Sequence, residues 1–256
     1  FENYYHEIKK KAELNFAEGL APALRKAFNF YKQYAPDIVH AHSFTPFVIS
    51  CLFFRKSRII FHVHNNYPYF SGNDWRSFLK RLILKFFLKT KDIKVLTVSR
   101  EIKEIMTNNY RVSAQYLMNA IPSCNIKRPC FFEKTPAGKF YTVGRLSEQK
   151  NIELAVLITK ELRKRNYGVT LDIYGEGEER KKLENLTEAL NLNGIVRLRG
   201  FIEKPEVLPP CYDYYISSSV YEGFGLSILE ALQGGNIVIM TPVGDLTNML
   251  KDKESA

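Results

Sequence analysis

The chain has 256 residues, 45% hydrophobic and 25% charged. These are globular proportions that exclude a disordered tail, a collagen-like repeat or a disulfide scaffold as the main theme. The formal charge of +10 is uneven: residues 1–134 carry 22 Lys+Arg against 10 Asp+Glu, and residues 135–256 carry 15 against 17, which implies two units with the first facing something anionic.

In chain order, residues 13–34 read as a helix stopped by Pro36, 37–41 (DIVHA) as a strand, 44–54 as an apolar helix and 58–63 (RIIFHV) as a strand. Residues 74–89 form the next expected helix, with Asp74 as N-cap, and 94–98 (KVLTV) the next strand. Ser99 is placed to cap a helix over 100–108, and 115–118 is a short strand. Residues 121–138 hold Pro122, Pro129, Pro136 and Gly138 with little periodicity, so a domain boundary is expected near 134. The alternation then restarts: strand 140–143, helix 152–165, strand 169–174, helix 178–190, strand 195–198, a short helix 205–211, strand 214–217, helix 226–233, strand 236–240. Short apolar strands separated by helices mean βαβ units and parallel sheets covered on both faces. The expected architecture is therefore two Rossmann-like domains, 1–134 and 135–256, with a cleft between them.

No stretch reaches the roughly 18 apolar residues of a spanning helix, and the opening FENYYHEIKKKAE is not a signal peptide. Cys51, Cys124, Cys130 and Cys211 form no C-x-x-C pair. A cytoplasmic, reducing setting is expected.

Two segments carry chemistry. The first is Glu222-Gly223-Phe224-Gly225-Leu226-Ser227-Ile228-Leu229-Glu230, directly after a strand and opening a helix. Gly223 and Gly225 let the backbone turn and approach a ligand. The amides of Leu226 and Ser227 point out of the helix start, where an anion is favoured. Glu222 in the loop and Glu230 one turn into the helix suit hydroxyl groups of a sugar or ribose. The second segment, Val143-Gly144-Arg145-Leu146-Ser147-Glu148-Gln149-Lys150-Asn151, also leaves the carboxyl end of a strand. Arg145 and Lys150 are two cations on one loop, able to clamp a diphosphate.

VGRLSEQKN, YGEGEERKKLENL and VRLRGFIEKPEVLPPCYDYYISSSVYEGFGLSILEAL together resemble the C-terminal, nucleotide-sugar-binding domain of retaining GT-B glycosyltransferases of family 4, also called group 1. Glu222 and Glu230 match that family's E-x7-E pattern; DIVHAHSF, IIFHVHNN, VLTVSREIKEIM and NAIP resemble strand ends of its N-terminal domain. The resemblance implies that Arg145 and Lys150 neutralise the donor diphosphate beside Gly144. It further implies that Glu222 holds the donor sugar with the backbone of Gly223, Phe224 and Gly225. The Leu226 and Ser227 amides would face the phosphates, Glu230 would hold the ribose, and Gly175 and Glu176 would lie near the base. His64 matches the family histidine that approaches the donor sugar.

The implied reaction is transfer of a sugar, with retention, from a nucleotide-diphosphate donor to a saccharide or lipid-linked acceptor, as in surface polysaccharide or glycolipid synthesis. A UDP-sugar is expected ahead of a GDP-sugar. Cations and a helix N-terminus supply the charge that a metal would otherwise provide. No D-x-D triplet occurs and no His/Asp cluster shows metal-ligand spacing, so neither a metal nor a resident cofactor is expected. The alternatives are a non-catalytic nucleotide-sugar-binding subunit or another GT-B enzyme such as a nucleotide-sugar epimerase. A GT-B N-terminal domain opens with a strand and a glycine-rich loop that nothing before Phe1 supplies, and the chain stops soon after Asp245, so both ends are expected to be incomplete.

His62 and His64 alternate at a strand end and are expected to face opposite ways, with His64 toward the ligand and His62 toward the packing side. His40 and His42 are expected to alternate likewise, His40 structural and His42 equally open to either role. Residues 75–89 set Trp75, Phe78, Leu79, Leu82, Ile83, Phe86 and Phe87 along an apolar stripe, with Arg76, Lys80, Arg81, Lys85 and Lys89 as the charges. Such a helix either lies on an anionic membrane surface or packs on the sheet with a solvated basic face. No nucleic-acid-binding signature accompanies the positive charge.

Overall fold

A computed structural model describes residues 20–64, 74–121, 138–203 and 211–250. They fall into two compact units, divided between Asn119 and Ala120. The boundary expected near residue 134, the start of the first helix and nearly all of the helix expected over 205–211 lie outside the described residues.

The first unit is a four-stranded parallel sheet: β1 (Ile38–His42), β2 (Arg58–Val63), β3 (Ile93–Thr97) and β4 (Ala114–Tyr116), in the order β1-β2-β3-β4. Helix α1 (Leu20–Tyr34) precedes β1, and α2 (Phe44–Phe53), α3 (Trp75–Thr90) and α4 (Arg100–Tyr110) make the crossovers between successive strands. Their starts follow from side chains read in the sequence: Asp74 Oδ1 accepts from the Ser77 amide at 3.2 Å, and Ser99 Oγ from the Ile102 amide at 3.1 Å. Each satisfies an amide that lacks an i−4 carbonyl. Phe47 and Phe61 stack at 4.1 Å in the core, with Leu84, Val95, Ile102 and Met106 buried around the sheet. The β1–β2 register sets His40 against Ile60 and His42 against His62.

Helix α3 buries Ser77, Leu84, Phe87 and Leu88. Most of the stripe seen in the sequence faces outward: Trp75 is 71%, Phe78 63%, Leu82 55% and Phe86 60% exposed. Among the described residues no helix is long and apolar enough to cross a membrane.

The second unit is a five-stranded parallel sheet: β5 (Lys139–Val143), β6 (Thr170–Tyr174), β7 (Val196–Gly200), β8 (Tyr214–Ser217) and β9 (Ile237–Met240), ordered β7-β6-β5-β8-β9. The chain runs outward from β5 to β7, then returns to the other side of β5. That reversal makes the carboxyl ends of β5 and β8 the switch point at which open α/β sheets bind ligands. Helices α5 (Ile152–Lys164), α6 (Arg180–Ala189) and α7 (Leu226–Gln233) cover the sheet, and α8 (Leu246–Met249) follows β9. Leu146, Leu171, Ile173, Leu183 and Ile216 are buried in one core cluster. Each such side chain contributes about 1.5–3 kcal/mol of burial.

Candidate functional site

The two segments singled out in the sequence leave adjacent strands. The first exits β5 at Gly144 and the second exits β8 at Ser218. They are stitched together: the Val220 amide donates to Gln149 O at 2.8 Å, Gln149 Nε2 to Tyr221 O at 3.1 Å, and Ser218 Oγ to Lys150 O at 3.0 Å. Residues 72 apart in sequence thus form one surface. A 3₁₀ turn (Glu148–Lys150) and Asn151 in the left-handed region (φ 46°) aim Lys150 across this surface before α5 begins. Lys150 Nζ meets Glu222 Oε1 at 2.5 Å, and Ser219 Oγ donates to the same oxygen at 2.7 Å. The side chains are 22% and 10% exposed, so the pair is mostly withdrawn from water.

Glycine is required where the loops approach most closely. Gly175, at φ +140°, lies so near the β5 exit that a Cβ would sit 1.8 Å from Gly144 O. Backbone bonds tie the same region together: the Gly144 amide donates to Tyr174 O at 3.0 Å and Leu146 to Glu176 O at 2.9 Å. Gly225, at φ +90°, is the N-cap residue of α7. Ile228 and Leu229 both donate back to its carbonyl, while the first helical amides, Leu226 and Ser227, have no i−4 carbonyl to meet. Gly223 and Phe224 are buried beneath this turn.

Tyr215 in β8 is buried. Its hydroxyl donates to Ser227 Oγ at 2.8 Å. Burial, opposed by the hydrogen bond to Ser227 and assisted by the charges of Glu222 and Glu230, pushes the phenol up to about 12. Arg145 lies apart from this arrangement: its guanidinium pairs with Glu178 at 3.2 Å in a solvent-exposed contact. Glu176 pairs with Arg180 at 2.7 Å. The two cations on the β5 loop thus have different partners.

The histidines overturn the expectation that alternate positions face opposite ways. Residues two apart in a strand project to the same face, and β1 and β2 are neighbours, so His40, His42, His62 and His64 gather in one cluster. Ring centroids are 4.3 Å apart for His40–His42, 4.4 Å for His62–His64 and 5.2 Å for His42–His62. A hydrogen bond of 2.8 Å joins His42 Nδ1 and His64 Nε2. Burial, then the neighbouring imidazoles, lowers His62 to about 3 and His64 to about 4. Burial also lowers His40 and His42. Strand pairing brings the separate short H-x-H pairs into one set that no single segment displays, and equal H-x-H spacing in consecutive strands was the available signal.

A second polar centre escaped sequence reading. Asp172 in β6 is buried and receives Arg197 at 2.6 Å, Arg199 at 3.2 Å and the Tyr212 hydroxyl at 2.7 Å. Burial opposes its charge, but Tyr212, Arg199 and Arg197 together hold the carboxyl below its usual range. A lone Asp inside an apolar strand, followed by R-x-R at the end of the next expected strand and just past it, could have indicated this.

The model for "Glycosyltransferase Family 4" matches residues 6–118, and that for "Glycosyl transferases group 1" matches residues 127–256. The GtfA subunit of a UDP-N-acetylglucosamine–peptide N-acetylglucosaminyltransferase from Limosilactobacillus reuteri is 39% identical over 94 residues, 37% of this chain and 18% of its own length. An uncharacterised glycosyltransferase of Methanocaldococcus jannaschii is 26% identical over 237 residues, covering 84% of this chain and 58% of the relative. A TarM variant of S. aureus, solved with fondaparinux, α-GlcNAc-glycerol and UDP, superposes with a TM-score of 0.72 at 19% identity, over 90% of this chain and 48% of TarM. The chain thus spans about half of TarM, and a smaller part of the GtfA subunit is matched. With two parallel sheets of GT-B type and both halves matched, the chain belongs to the group 1 glycosyl transferases of family 4.

Proposed function

We propose that the second unit binds a nucleotide-diphosphate sugar at the carboxyl ends of β5 and β8, and that the protein transfers the sugar to a saccharide or lipid-linked acceptor with retention. The observation that carries this reading is the joining of the Gly144–Asn151 and Ser218–Gly225 loops into one surface bearing Lys150, Glu222 and the start of α7. In this reading Arg145, Lys150 and the Leu226 and Ser227 amides hold the diphosphate. Glu222 holds sugar hydroxyls, Glu230 the ribose, and Gly175 and Glu176 border the base. His64 is the N-terminal contribution, as the family resemblance implies. Relatives support a UDP-sugar donor: the GtfA subunit is named for UDP-N-acetylglucosamine, and TarM was solved with UDP.

The reaction runs as front-side attack. The acceptor oxygen bonds to the anomeric carbon while the bond from that carbon to the diphosphate breaks. The electron pair passes to the leaving phosphate oxygen, which also takes the acceptor proton. Fixed positive potential from the two cations and the helix start stabilises the leaving group without a metal. The outward stripe of α3, with basic residues interleaved, favours an acceptor presented on an anionic membrane surface.

Calorimetry with UDP, GDP and ADP tests the donor site: UDP binding is expected, weakened by Arg145→Ala and Lys150→Ala. Silence toward all three nucleotides would remove the proposal. Transfer or donor hydrolysis that continues unchanged in Glu222→Ala would remove the role given to Glu222, and nucleotide binding without turnover would favour a binding subunit.

A further inference from the structure

Four of the five histidines meet on one face of the first unit's sheet, contributed by β1, by β2 and by the residue following β2. One ring nitrogen each from His40, His42 and His62 lies within 4.8 Å of the others. His62 is 5% exposed, and among the described residues neither of its ring nitrogens has a hydrogen-bond partner. Buried polar atoms are almost always met by a partner, and a side chain that meets none needs an explanation. Coordination supplies one.

We infer that His40, His42 and His62 form a binding site for a transition-metal dication of the zinc, nickel or copper class. Three imidazoles suit such borderline ions, whereas magnesium and calcium prefer oxygen donors. Nitrogens at about 2.1 Å from one ion stand roughly 3.4 Å apart in tetrahedral geometry. The observed spacing therefore requires a modest ring rotation, which the exposed His40 and His42 can make at the end of the β1-β2-β3-β4 order. His64 completes the arrangement from outside. When His42 Nδ1–H donates to His64 Nε2, 2.8 Å away, the Nε2 of His42 is bare and available as a ligand. A hydrogen bond of this kind fixes the tautomer and orientation of a ligating histidine. Water fills the remaining coordination position. The ligand set does not depend on the donor-binding reading, because none of His40, His42 and His62 has a role in that reading and the test measures metal rather than turnover.

The full chain, prepared without a polyhistidine tag and stripped with chelator, is dialysed against Zn²⁺, Ni²⁺ or Mg²⁺, and bound metal is counted by mass spectrometry. One equivalent of Zn²⁺ or Ni²⁺ and no Mg²⁺ is expected, and Co²⁺ loading should give the visible absorption of a nitrogen-ligated low-coordinate centre. His40→Ala and His42→Ala, both at exposed positions and checked by circular dichroism, should weaken binding by more than the roughly 10–100-fold expected for the outer variant His64→Ala. Failure to bind stoichiometric Zn²⁺ or Ni²⁺ would overturn the site. So would binding that survives both His40→Ala and His42→Ala, since the metal would then sit elsewhere.

Discussion

Replacing Lys150 with alanine should unsettle Glu222 before any ligand is present. The Glu222 side chain is 10% exposed, and its Oε1 accepts from Lys150 at 2.5 Å and from Ser219 at 2.7 Å. The substitution leaves that oxygen with the Ser219 hydroxyl. A hydrogen bond to a charged group contributes about 1.5–3 kcal/mol, and stranding a fully buried charge costs about 3–5 kcal/mol. Lys150 is 22% exposed, so water enters where its chain was, and the lower end applies: about 2 kcal/mol. For a unit of this size that lowers the melting temperature by roughly 5–10 °C. Glu222→Gln and the double variant complete a cycle, with an expected coupling of about 1–2 kcal/mol. Urea unfolding followed by far-ultraviolet circular dichroism measures all four proteins. A coupling below about 0.5 kcal/mol is the behaviour of a solvent-exposed ion pair; it would refute the idea that Lys150 fixes Glu222 and leave the loop backbone as the only support.

Gly175→Ala should destabilise the second unit by at least about 2 kcal/mol, since its Cβ would fall 1.8 Å from Gly144 O in a left-handed conformation; urea melts showing less than half of that would contradict the close approach. Asp172→Ala leaves Arg197, Arg199 and Tyr212 around a vacated buried position, and a loss of about 3 kcal/mol is expected in the same assay. Acid should weaken the chelator-treated protein. The native His62 resists protonation down to about 3 while an unfolded histidine accepts a proton near 6.5, so stability is complete above 6.5 and falls as pH drops toward 3. From pH 8 to pH 5 His62 alone accounts for about 2 kcal/mol, and His64 acts in the same direction; a urea midpoint that does not move between those pH values counts against the burial of His62. Sedimentation with anionic vesicles should pull down the protein in low salt, less so with Phe78→Asp and Phe86→Asp together, and equal pelleting of both would dismiss the α3 surface.

Much of the fold is legible in the sequence because local chemistry decides it. Asp74 and Ser99 cap the helices they were read to cap, and the strand over 214–217 and the helix over 226–233 have the expected bounds. The strand order β7-β6-β5-β8-β9 depends on nonlocal pairing and is silent in the residue pattern. The histidines failed for a simpler reason: period-two spacing was read as opposite faces when it means the same face. The two readings of helix α3 stay open in the sequence because apolar spacing indicates a face but not what covers it; in the fold Trp75, Phe78 and Phe86 turn outward while Ser77 is buried.

The candidate site was legible as two motifs but not as one electrostatic arrangement. Arg145 and Lys150 look equivalent in sequence, two cations five residues apart on one loop. Folding separates them. Lys150 turns inward through the 3₁₀ turn and spends its charge on Glu222, while Arg145 stays in solvent beside Glu178, where water screens the pair and exchange is easy. A phosphate arriving at the start of α7 would therefore recruit Arg145 at little cost but would have to share Lys150 with a carboxylate. Under the proposed function this makes Lys150 the link between the two halves of the donor. Drawing its ammonium toward the diphosphate loosens Glu222, and Glu222 is then free to turn to the sugar hydroxyls. Arg145→Ala should thus weaken nucleotide and nucleotide-sugar binding alike. Lys150→Ala should weaken the nucleotide sugar more than the bare nucleotide, and equal losses for both ligands would show that the two groups act independently.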